Sequence, residues 1–221
     1  MRSNSLAGNI WCEGVGNFAP DLPDVRPGAR IGLLGGSFDP AHEGHVAISL
    51  RAMRQARLDW VWWMVTPQNP LKDTPSASLR ERLERARRFA GHPLRCIWVS
   101  DIEIRLRTRY TVDAVRVLRQ RYSHVQFVLL MGSDILTELP RWSDWHELTR
   151  LLPLLVAPRT RSLISMNCGR RGFRIIPPER AYQLVGSRPP AVCFLSGTRL
   201  SVSSTRLRGL VGSEISRGRR L

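Results

Sequence analysis

The stretch Gly35-Gly36-Ser37-Phe38-Asp39-Pro40-Ala41-His42-Glu43-Gly44-His45 decides how the chain is read. It follows a short apolar run, Ile31 to Leu34, and leads into Val46, Leu50 and Met53 at helical spacing. A buried strand, a glycine turn and a helix start, in that order, make the ligand-binding edge of an open α/β sheet. Two histidines three residues apart at that helix start set imidazoles beside unpaired backbone N–H groups. This combination suits an anion, above all a polyphosphate.

Working outward, strands and helices alternate. Arg30 to Leu34 reads as a first strand, and a helix runs from about Gly44 to Arg57. Trp60 to Thr66 is apolar throughout, as expected of a strand buried on both faces. Ser78 with Glu81 three residues later fits a capping box, and Leu79, Leu83 and Ala86 mark one face of the helix that follows. Leu94 to Val99 reads as a third strand. Asp101 to Arg107, where Ile102, Ile104 and Leu106 alternate with charges, reads as extended and half exposed.

Thr111 is the expected N-cap of a helix reaching about Tyr122. Asp113, in its first turn, reads as a helix-start charge. Gln126 to Met131, Pro153 to Ala157 and Ala191 to Leu195 complete six strands, and residues 160–190 carry little pattern. The fold class is therefore α/β: a Rossmann-like open parallel sheet with helices on both faces. Residues 1–29 read as a poorly structured N-terminal extension, 30–208 as one domain and 209–221 as a short basic tail.

Composition narrows the function. The 221 residues are 43% hydrophobic and 24% charged, which fits a globular chain with a sizeable core. No apolar run is long enough to span a bilayer. The N-terminus lacks the basic-then-apolar order of a secretory signal. Four cysteines without CxxC or CxxH spacing argue against a zinc site or disulfide framework, and a cytoplasmic setting fits. The net charge of +16 invites a nucleic-acid reading. However, 33 of the 34 basic residues are dispersed arginines and Lys72 is the single lysine. No aromatic-interleaved RNA-binding motif accompanies them.

The glycine pair is neither GxGxxG nor GxxxxGK[ST], so hydride transfer on a dinucleotide and P-loop hydrolysis lose ground. The compound pattern Gly-Gly-Ser-Phe-Asp-Pro-x-His-x-x-His resembles the HxGH nucleotidyltransferase signature, with His42-Glu43-Gly44-His45 as its core. Val202-Ser203-Ser204-Thr205-Arg206-Leu207-Arg208 is similar to the second signature of the same superfamily. Thr66 to Lys72, Arg109 to Asp113, Gly132-Ser133-Asp134 and Leu139-Pro140-Arg141-Trp142 resemble the bacterial nicotinate-nucleotide adenylyltransferase family.

That resemblance implies attack of nicotinate mononucleotide on the α-phosphate of ATP, with Mg²⁺ carried by the phosphates. It implies that His42, His45, Ser204, Thr205 and Arg208 hold the triphosphate, with His42, His45 and Arg208 catalytic. Gly35, Gly36, Ser37 and Phe38 would line the ATP site, and Asp134 would lie near the adenylate ribose. Asn69, Lys72, Thr111 and Trp142 would hold the mononucleotide, and the protein is a candidate homo-oligomer. Trp142 also has a plain packing reading, and Lys72 a solvated one. The loop before Lys72 lacks the family's Pro-Pro-His-Lys form, and only 13 residues follow Arg208. Rival functions are another HxGH adenylyltransferase, accepting nicotinamide mononucleotide or phosphopantetheine, and a non-catalytic basic RNA-binding protein.

Overall fold

In the computed structural model, which describes residues 22–67, 77–91, 96–158 and 171–197, the apolar run before the glycine pair forms strand β1, Arg30–Gly36. Six more strands follow: β2 (Trp60–Val65), β3 (Ile97–Ser100), β4 (Gln126–Gly132), β5 (Leu154–Ala157), β6 (Arg174–Ile176) and β7 (Ala191–Phe194). Every pairing is parallel and the order is β3-β2-β1-β4-β5-β7-β6.

Strand side chains sort into two cores, as the pleat requires. Leu34, Val61, Trp63, Val65, Val128 and Leu130 face one layer. Ile31, Leu33, Trp62, Met64, Leu129 and Met131 face the other. The continuous apolar run of β2 is thereby explained, since both of its faces are covered. At Gly32, within β1, a Cβ would lie 2.8 Å from Leu58 Cδ1, the movable end of that side chain.

Helices α1 (Glu43–Ala56) and α2 (Leu79–Ala90) cover the first layer. The Ser78–Glu81 capping box starts α2, with Ser78 N–H donating to Glu81 Oε2 at 2.9 Å. Helices α4 (Thr111–Arg121), α5 (Ser133–Glu138) and α6 (Trp145–Leu151) cover the second. Arg116 ties α4 to α6 through Glu147 and also pairs with Asp113, which gives the helix-start carboxylate a structural role.

Four local expectations change. Residues 101–107 are not extended: Ile102–Arg105 form one helical turn, α3. Alternation at every second position also places Ile102 and Leu106 four apart, the spacing of a helix face. Thr111 is the first helical residue of α4, and Tyr110 is its N-cap. An additional strand, β6, lies at the sheet edge within the featureless 160–190 region, and only Ile176 of its three residues is buried. Residues 22–29 also join the packed body: Val25 and Ala29 are buried, and Tyr122 Oη donates to the Pro23 carbonyl at 2.8 Å.

Among the described residues no helix is long and apolar enough to cross a membrane. Cys96 and Cys193 are free thiols, and burial pushes the Cys193 thiol up to about 11, which keeps it protonated and inert.

Candidate active site

Because all strands run parallel, the segments leaving β1, β2, β3 and β4 emerge at one edge of the sheet. The chain steps outward from β1 through β2 to β3, then returns to β4 on the other side of β1. That reversal opens a crevice between the carboxyl ends of β1 and β4. Gly35 to His45 leaves the first of these strands, and Gly132 to Trp142 the second.

Gly35 and Gly36 are the last two residues of β1, and the tight turn comes later, at Phe38, whose φ is +48°. A Cβ on Gly35 or Gly36 would meet only Met64 Cε at 3.6 Å or the Phe38 ring at 3.5 Å, which are ordinary contacts. The protein itself does not require glycine here; bare backbone at the crevice suits close approach of a ligand. Phe38 is buried with its ring centroid 4.6 Å from that of His45 and 5.0 Å from that of Trp63.

The two histidines build the start of α1. His42 is the N-cap, with extended backbone, and its Nδ1 accepts from Gly44 N–H at 3.0 Å. Its own N–H donates to His45 Nδ1 at 3.2 Å, and the rings lie 3.9 Å apart. A neutral imidazole that accepts at Nδ1 carries its proton on Nε2. Both rings are therefore set in the same tautomer by the capping geometry, and Nε2 is the donor atom of each. His42 is 3% exposed, whereas His45 is half-buried. Beneath them, Ser49 Oγ donates to the His45 carbonyl at 2.8 Å and accepts from Trp63 Nε1 at 2.9 Å, anchoring the first turn of α1 to β2.

Arg82 is a residue that motif reading missed. It is buried in α2, and its guanidinium donates to the carbonyls of Ser37 (2.6 Å), Thr66 (2.8 Å), Pro67 (2.7 Å) and Ala77 (3.2 Å). One side chain thus fixes the glycine loop relative to the loop leaving β2. The signal was present: position 82 falls between Leu79 and Ala86 on the apolar face of α2, where a lone arginine needs buried acceptors.

On the other side, Ser133 opens α5 and is buried, and Asp134 is exposed in its first turn. A 3₁₀ turn, Leu139–Arg141, delivers Trp142, whose N–H donates to the Leu139 carbonyl at 2.9 Å. Trp142 is half-buried and packs partly against the second core, so it is anchored with part of its ring uncovered. Thr111 is half-buried, with its Oγ1 3.3 Å from Glu103 Oε1. Glu103 itself is buried, and desolvation raises its carboxyl to about 7 against the pull of the Thr111 hydroxyl. No periodicity marked it, because it sits beside Ile102 in a single turn.

Asn69, Lys72, Ser204, Thr205 and Arg208, with the last expected helix, lie outside the described residues. Among the described residues no cluster of three or more His, Cys, Asp or Glu side chains can hold a metal ion.

An open parallel sheet with a two-histidine helix start at its switch point makes a site fitted to an anionic ligand. Residues 33–210 match the family described as cytidylyltransferase-like. A relative from Ruegeria sp. (strain TM1040), called "Probable nicotinate-nucleotide adenylyltransferase", is 44% identical over 183 residues, 80% of this chain and 95% of the relative. One of the same description from Cereibacter sphaeroides (strain ATCC 17025 / ATH 2.4.3) is 46% identical over 186 residues, covering 80% and 96%. The chain belongs to the cytidylyltransferase-like family and, within it, to the nicotinate-nucleotide adenylyltransferases. Among solved structures, Plasmodium falciparum nicotinic acid mononucleotide adenylyltransferase complexed with NaAD shares the fold. Its TM-score is 0.62 at 17% identity, over 82% of this chain and 83% of that one.

Proposed function

We propose that this chain transfers the adenylyl group of ATP to nicotinate mononucleotide, giving deamido-NAD and pyrophosphate. The observation that carries the reading is the pair of capping bonds accepted by Nδ1 of His42 and of His45 at the switch point of the sheet. Two imidazoles that present Nε2–H donors suit phosphate oxygens and do not suit proton abstraction from a hydroxyl. The chemistry needs no base. A phosphate oxygen of the mononucleotide, already anionic, attacks the α-phosphorus of ATP, the bond from that phosphorus to the bridging oxygen breaks, and pyrophosphate leaves with the electron pair. The protein's task is to align the reactants and to stabilise charge on the phosphate oxygens.

In this reading His42, His45 and Arg208 act on the triphosphate with Ser204 and Thr205. Gly35, Gly36, Ser37 and Phe38 line the ATP site, and Asp134 meets the ribose. Thr111, Trp142, Asn69 and Lys72 hold the nicotinate mononucleotide. Mg²⁺ enters as the Mg·ATP substrate. Residues 30–208 would form the transferase domain, working in the cytoplasm where ATP is supplied.

The test is pyrophosphate release with Mg·ATP and a panel of acceptors. Release with nicotinate mononucleotide should exceed release with nicotinamide mononucleotide and with phosphopantetheine. No turnover with any acceptor, together with salt-sensitive RNA binding, would sink the reading.

A further inference from the structure

The reaction just described gives Glu103 no task, yet this carboxyl is 4% exposed and faces Thr111, 3.3 Å from its hydroxyl. The segment between the two residues is folded back on itself. Thr108 donates to the Glu103 carbonyl from both its N–H, at 2.8 Å, and its Oγ1, at 3.2 Å. Carboxyl and hydroxyl are thereby held within reach of each other, at a distance on the long side for O–H···O, so the hydroxyl proton retains a choice of partner.

We infer that Glu103 is a positioning and specificity-determining residue, whose carboxyl decides whether Thr111 offers a proton or a lone pair to the substituent on the mononucleotide's pyridine ring. This rests on Thr111 lying at that ring. A threonine hydroxyl has one proton to give. If Glu103 is ionised, it accepts that proton, and only lone pairs of Oγ1 are left for the substrate. Lone pairs repel a nicotinate carboxylate and accept an N–H from a nicotinamide. If Glu103 is protonated, its own O–H donates to Oγ1, and the Thr111 proton turns to the substrate, where it suits the carboxylate. Acid and amide forms of the nucleotide are then discriminated by one buried proton.

Among the described residues the surroundings leave this proton to Glu103. Strand β2, packed beneath α3, carries no titratable side chain in Trp60–Val65. On α4, Asp113 pairs with Arg116, which also engages Glu147. On α3 itself, Arg105 pairs with Asp101 at 2.6 Å. Desolvation holds the Glu103 carboxyl near 7, so its charge changes within the working range of a cytoplasmic enzyme.

The experiment measures kcat/KM for nicotinate and nicotinamide mononucleotides, from about one unit below to about one unit above that value, and takes their ratio. The ratio cancels the titration of shared groups such as the nucleotide phosphates and the histidines. The acid-to-amide ratio of the wild-type enzyme should fall by about tenfold or more as the pH rises, the change expected when a hydrogen bond to a charged group is lost. Glu103→Gln, which cannot ionise, should give a ratio independent of pH. Thr111→Val, which leaves Glu103 in place, should also flatten it. A flat ratio in the wild-type enzyme, or a slope retained in either variant, would overturn the inference while leaving the adenylyl-transfer reading intact. Absence of turnover with both mononucleotides would overturn the two together.

Discussion

Replacing Arg82 with lysine keeps a positive charge in α2 and removes the fork. The native guanidinium makes four hydrogen bonds with carbonyl oxygens from three directions: Nη1 to Ser37 and Thr66, Nη2 to Pro67, Nε to Ala77. An ammonium is a point donor on a straight stem and cannot reach acceptors on opposite sides of a plane. The variant should keep the Nη1 partners at best and lose the bonds made by Nη2 and Nε. Each hydrogen bond to a charged group contributes about 1.5–3 kcal/mol, so two lost bonds, partly replaced by relaxation, should cost about 3 kcal/mol. That is a large part of the ~5–15 kcal/mol available to a domain, yet it leaves a folded protein to measure. Urea unfolding should show a lower midpoint with an unchanged slope. The same variant should raise KM for both substrates, because in the proposed function the segments at Ser37 and Pro67 serve different substrates. A midpoint matching the wild type would refute the reasoning and reduce Arg82 to a buried charge without a clamp.

Three further outcomes are expected. His45→Ala should lose about a hundredfold in kcat at unchanged secondary structure, checked by circular dichroism, since one donor to developing phosphate charge is removed; near wild-type turnover would take the imidazole out of the mechanism. Trp142→Ala should raise KM for the mononucleotide by up to about tenfold and leave that for ATP nearly unchanged; equal increases would identify the ring as packing alone. For Glu103, a folded value near 7 against an ordinary 4.5 means that its contribution to stability is fully present below 4.5 and lost as the pH rises to about 7. Glu103→Gln should therefore gain about 3 kcal/mol relative to wild type across that window, and parallel stability–pH curves would contradict the burial argument.

Much of this was written in local pattern. The run Trp60–Val65 announces a strand covered on both faces, and Ser78 with Glu81 announces a helix start, because each depends on neighbours in sequence. The pair His42 and His45 was legible for the same reason: residues three apart at a helix start must meet. What stayed hidden depends on partners distant in sequence. Arg82 takes its meaning from carbonyls at 37 and 66–67, and Glu103 from the way α3 folds back to Thr111. Strand β6 has one buried residue and no alternation, so only its pairing with β7 defines it. The turn at Phe38 was hidden by the adjacent glycines, which drew the expectation of a tight turn to themselves; Phe38 takes the positive φ, with its ring stacked on Trp63.

The start of α1 has a consequence for engineering. At position 45 the ring performs two tasks with two different atoms: Nδ1 accepts from His42 N–H and closes the helix end, and Nε2 carries the proton. Those atoms have separate amide mimics. The Oδ1 of an asparagine falls where Nδ1 lies, so His45→Asn retains the acceptor of the cap and omits the outer donor. The longer glutamine brings an amide N–H toward the place of Nε2 and gives up the cap acceptor. Helix initiation, and the charge stabilisation proposed for the same imidazole, can be taken apart with two conservative substitutions at a single codon.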